Sequence, residues 1–158
     1  MGDFKDMLVE WRYREDAAVY LAGLVCDVAV LSREEQEALI VDAFDRGILS
    51  LAERDDAILA DVVVVRGQRR DNGSAVLLVI EVAPKIGAAD VEQTLHRTTI
   101  WAKLGIPAPP AVAGLTISAE GERIAYNQQV SISLLPELIG LDALGRSAPV
   151  RTAQTKRE

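Results

Sequence analysis

The stretch DVVVVRGQRRDNGSAVLLVIEVAP, residues 61–84, decides the architecture. Two apolar runs rich in β-branched residues flank Asp71-Asn72-Gly73, and Asn-Gly is a strong hairpin-turn signal. Neither run alternates apolar with polar residues. Both faces of each strand are therefore expected to be covered, as at the centre of a layered α/β sheet. Pro84 has no amide hydrogen to give a ladder and ends the second strand.

Two acids in this stretch stand where acids are costly. Asp61 opens the first run and Glu81 is embedded near the end of the second. A carboxylate among apolar strands is normally paired, hydrogen-bonded or bound to a metal. An Asp and a Glu on neighbouring strand ends suit Mg²⁺, which takes one or two carboxylates plus water and phosphate oxygens. The bland alternatives are a cap at a helix-to-strand junction for Asp61 and a salt bridge to Arg97, Arg14 or Lys85 for Glu81. Hairpin register bears on the choice. A two-residue Asn72-Gly73 loop makes paired residue numbers total 145 and puts Asp61 and Glu81 on opposite faces. A three-residue loop with Gly73 left-handed makes the total 144, so that Asp61 shares a face with Glu81 and Ala83. The even total is the expectation adopted here.

Outward from the hairpin, helix and strand signals alternate. Towards the N-terminus, a helix is predicted from Phe4 to Val25, with an apolar stripe of Phe4, Met7, Leu8, Trp11, Ala18, Leu21, Ala22 and Val25. Arg14 and Glu15 interrupt that stripe, and Glu10 lies one turn before Arg14. A short strand is expected at Val28–Leu31. Two capping boxes, Ser32 with Glu35 and Ser50 with Glu53, then open helices ending near Gly47 and Ala60. Beyond the hairpin come a helix from Ala88 to Leu104, a strand at Ala111–Gly114, a helix from Ser118 to Gln128 and a strand near Val130–Leu134. On the Ala88–Leu104 helix, Val91, Leu95, Thr98 and Ala102 form the apolar side, and Gln93, His96, Arg97 and Ile100 another. The expected organisation is one α/β domain over residues 1–140 with a helical insert at 32–60, followed by a flexible basic tail at 141–158.

Composition narrows the function. The chain has 158 residues, 49% hydrophobic and 26% charged, which suits one domain with a real core. Its single cysteine, Cys26, excludes a disulfide scaffold, and its single histidine, His96, excludes a histidine-rich zinc site. No apolar run approaches the roughly 20 residues of a membrane span, and residues 1–16 lack a signal-peptide core. A cytoplasmic protein is expected. The net charge of −7 is the wrong sign for tight phosphate neutralisation. Residues 146–158 carry net +3, leaving −10 for the first 145. Nucleic acid is therefore a partner that charge does not favour; a homodimer or a coiled-coil partner protein is the other expectation. Glycine-rich nucleotide loops and the Gly-x-Ser-x-Gly elbow are absent, and seven aromatics form no interleaved basic surface.

An acid on the first helix, Asp opening one strand, Glu closing the next, then a helix and strand: this order resembles the PD-(D/E)XK nuclease superfamily. The stretches LVEWRYRE, ADVVVVRG, LLVIEVA, ADVEQTLHR and PAVAG resemble a poorly characterised bacterial branch in which the domain often follows a coiled coil. The resemblance covers about residues 4–135 and implies a restriction-endonuclease-like core, a mixed central sheet flanked by helices. It implies Mg²⁺ or Mn²⁺ held by Glu10, Asp61 and Glu81, with Gln93 near the metal; Arg97 is a candidate phosphate ligand. The superfamily's lysine falls two residues after the Glu, where this chain has Ala83. Lys85, past Pro84, is the candidate replacement. Two readings stand. One is a metal-dependent nuclease with a degenerate site, in which Asp61, Glu81, Lys85 and Gln93 are catalytic. The other is an inactive nuclease-fold module used for binding or assembly, its acids kept as an ion-pair network around Arg14 and Arg97.

Overall fold

In the computed structural model the residues described are 4–135 and 150–151. Helix α1 (Phe4–Tyr20) leads into strand β1 (Val25–Val30), and helices α2 (Arg33–Asp45) and α3 (Leu51–Leu59) follow. The hairpin is β2 (Val63–Arg69) and β3 (Ala75–Val82). Then come β4 (Lys85–Ile86), α4 (Ala88–Ala102), β5 (Pro110–Gly114), β6 (Thr116–Ile117), α5 (Ala119–Asn127), β7 (Ser131–Leu134) and β8 (Val150–Arg151). The main sheet has the order β1-β2-β3-β5-β7-β8. β1, β2 and β3 are antiparallel, β3, β5 and β7 are parallel, and β8 returns antiparallel. This is a mixed α/β sheet flanked by helices. Of the stretch expected to be a flexible tail, Val150–Arg151 is strand; the rest lies outside the described residues.

The continuous apolar runs are buried on both faces, as the pattern requires. Val63, Val65, Val76, Leu78 and Ile80 meet Val9, Tyr13, Ala17 and Tyr20 of α1. Val62, Val64, Leu77 and Val79 meet the α2–α3 insert together with Ile100 and Trp101 of α4. A third cluster joins Val91 of α4, Val112 of β5, Ala125 of α5 and Ile132 of β7. Burying each such aliphatic side chain contributes roughly 1.5–3 kcal/mol.

The hairpin register differs from the expected one. Val63 pairs with Ile80 and Gln68 with Ala75, so paired numbers total 143. The loop between Arg69 and Ser74 holds four residues, closed by the Gly73 amide donating to the Arg69 carbonyl (2.8 Å). Gly73 has φ +72°, which a side chain would strain, and Asn72 Oδ1 accepts from the Ser74 amide (2.9 Å). Asn-Gly is therefore used, but to terminate a longer turn. The even total is wrong, and β2 begins only at Val63, two residues after Asp61.

The stripe of α1 also differs. Val9, Tyr13, Ala17 and Tyr20 face the sheet, whereas Met7 and Trp11 are 66% and 61% exposed. Tyr13 and Tyr20 stack at 5.7 Å between centroids, so their rings fill the volume that an apolar count assigns to Trp11 and Met7. Asp16 has non-helical backbone angles (φ −111°, ψ 16°), and the helix ends at Tyr20, ahead of β1 at Val25. On α4 the buried set is Val91, Thr94, Thr98, Ile100 and Trp101, and Ala102 is exposed. Thr94 Oγ1 sits 3.1 and 3.0 Å from the carbonyls of Val79 and Ala111, binding the helix to two strands at once.

Both capping boxes are present as read. Ser32 Oγ accepts from the Glu35 amide while Glu35 Oε1 accepts from the Ser32 amide, each at 3.1 Å. Ser50 and Glu53 do the same. The insert is closed at its neck by buried Gln36, whose Nε2 donates to the carbonyls of Leu31 (3.4 Å) and Val62 (3.5 Å). Gly114 sits at a close approach between β5 and the residue that follows β3: a Cβ there would lie 2.0 Å from the Ala83 carbonyl oxygen.

Candidate functional site

The end of β3 places the first acid. Glu81 follows Val79 with the two-residue strand period, so it points to the α4 side of the sheet. There Arg97 Nη1 donates to Glu81 Oε2 at 2.5 Å. The Glu81 and Arg97 side chains are only 13% and 18% exposed. Burial raises the Glu81 carboxyl above its ordinary value; the charge and hydrogen bond of Arg97 pull it down, and the charges of Asp90 and Asp61 push it up again. Arg97, carried over as a candidate phosphate ligand, is thus engaged with a carboxylate inside the chain.

Asp61 lies in the connection between α3 and β2. Its side chain is 73% exposed, and its Oδ1 is 3.8 Å from Arg33 Nη1. Arg33 also donates to the Ile58 carbonyl (3.2 Å), so it joins the start of the insert to its end. Glu10 sits on the opposite side of the sheet from Glu81, on α1. Its Oε1 accepts from Arg14 Nη2 at 3.2 Å, and Arg14 Nη1 donates to the Leu31 carbonyl at 3.4 Å. The charged interruption of the α1 stripe is therefore a pair on the helix flank that clamps α1 to the end of β1.

The remaining candidates are spread out. Lys85 is exposed on β4, which pairs with β6 rather than continuing β3. Gln93 is exposed on α4, and Ala83 is half-buried where the resembled superfamily carries lysine. Asp90 accepts from the Gly87 amide (2.8 Å) and closes the N-terminus of α4. His96 Nε2 is 2.8 Å from Asp56 Oδ2, and Lys103 pairs with Glu53, so both fasten α4 to α3. Among the described residues, no three His, Cys, Asp or Glu side chains converge as a metal-holding group. The structure brings Glu81 together with Arg97, with the charges of Asp90 and Asp61 acting on it from nearby; Glu10 lies across the sheet, and Lys85 and Gln93 are exposed.

Two residues matter here that the sequence reading passed over. Arg33 is the partner of Asp61, and a signal existed: it directly follows the capping Ser32 at the insert's start, while Asp61 directly follows its end. Asp90 belongs to the electrostatic surroundings of Glu81, and its position three residues after Gly87 marks a helix start.

No family model and no curated protein matches the chain. Solved structures do resemble it. EndoMS in its apo form matches with a TM-score of 0.50 and 13% identity over 85% of this chain and 48% of that one. EndoMS in complex with double-stranded DNA matches with a TM-score of 0.50 and 14% identity over 86% and 45%. The chain spans under half the length of either. The likeness establishes a restriction-endonuclease-like α/β fold, with a mixed sheet between helices.

Proposed function

We propose that this chain is a nuclease-fold module without hydrolytic activity, used for binding or assembly, in which the three candidate carboxylates serve as structural ion pairs. The observation that carries the reading is that each acid lies beside a different guanidinium: Glu10 by Arg14, Glu81 by Arg97, and exposed Asp61 3.8 Å from Arg33, which also reaches Glu37. A divalent ion needs such oxygens to converge. Among the described residues no three His, Cys, Asp or Glu side chains gather to hold an ion, and Ala83 supplies no amine to position a water or to stabilise developing charge, which supports this reading. Charge supports a protein partner over DNA: the insert, residues 32–60, has eight acids and three arginines, net −5 of the chain's −7.

One observation favours the other reading, a metal-dependent nuclease. The Asp61 and Asp90 charges both raise the Glu81 carboxyl, so these acids share a field that a cation would relieve. Thermal melting across a Mg²⁺ and Mn²⁺ titration, run with a plasmid-cleavage assay on the parent and on Asp61→Asn, separates the two. We expect no cleavage, no metal-dependent stabilisation, and a loss under about 1 kcal/mol for Asp61→Asn, as for an exposed pair. Metal at about 100 times its dissociation constant stabilises a true site by about 2.7 kcal/mol. Such a gain in the parent, abolished by Asp61→Asn, would overturn the proposal.

A further inference from the structure

We draw no further inference here: the strongest candidate, the groove of about 660 Å³ at the hairpin end of the sheet, between the α1–β1 connection (Leu24), the hairpin (Arg70) and the starts of β5 and β7 (Pro110, Gln129), carries nothing, because nothing in the structure shows what covers it.

Discussion

Replacing Arg97 with alanine leaves the Glu81 carboxylate in a place that water barely reaches. Two unit charges about 4 Å apart attract by about 4 kcal/mol at an effective dielectric of about 20. Removing one partner of a fully buried pair costs about 3–5 kcal/mol, because the other charge remains without compensation. This pair keeps some exposure, 13% and 18%, so we expect Arg97→Ala to lose roughly 2–4 kcal/mol near neutral pH. At about 2–4 °C per kcal/mol for a chain of this size, Tm falls by roughly 5–15 °C. The sign of the pH dependence follows from linkage. Burial raises the Glu81 carboxyl in the folded state, so its contribution is full below the ordinary carboxyl range and is lost as pH rises through the folded value. Arg97 is the main influence opposing that rise, and its removal pushes the folded value higher still. The Arg97→Ala deficit is therefore largest at about pH 8 and shrinks towards about pH 5, as Glu81 takes up a proton. Adding Glu81→Gln should recover much of the loss, and urea unfolding of all four proteins at both pH values closes the cycle. A deficit below about 1 kcal/mol, or one equal at both pH values, would refute the reasoning.

Three further outcomes follow from the packing. Trp11→Gln should change stability by no more than about 0.5 kcal/mol, while Tyr13→Ala should cost about 3–5 kcal/mol; equal effects by chemical denaturation would mean that α1 faces the sheet differently. Gly114→Ala forces its methyl against the Ala83 carbonyl, so a loss on the order of 3 kcal/mol is expected in thermal melts, and parental stability would contradict the close approach. The hydrogen bond from Lys103, helped by the Ser50 amide, holds the Glu53 carboxyl down at about 2, so its contribution is present above the ordinary carboxyl range and lost as pH falls through that value. Carboxyl-carbon NMR should show its midpoint rising towards the ordinary range in Lys103→Met; an unmoved midpoint would remove Lys103 as the cause.

Legibility differed from one element to the next for physical reasons. The two capping boxes could be read directly because Ser and Glu three residues apart satisfy amides within one helical turn. The α1 stripe is not legible from apolarity because Trp11 and Met7 count as more apolar than Tyr13, although it is the Tyr13 ring that is fully buried. The hairpin was placed correctly but its loop length was not, since Gly73 supplies the positive φ that closes a four-residue turn here. Slipping the register by one residue reverses every side chain, so the part of the site most dependent on it was the least readable.

Sequence alone determined the order of the longer helices and strands, the covering of both sheet faces and the departure at Ala83, because these rest on local chemistry and on apolar runs; the two-residue strands β4, β6 and β8 were not legible. Tertiary structure decided the two long-range pairs, Glu81 with Arg97 and Asp61 with Arg33, whereas Glu10–Arg14 is set within one turn of α1. The pairs lie 4, 16 and 28 residues apart for Glu10–Arg14, Glu81–Arg97 and Arg33–Asp61. A guanidinium on a long, flexible stem can reach acids on several elements, and only the packed positions of those elements select one.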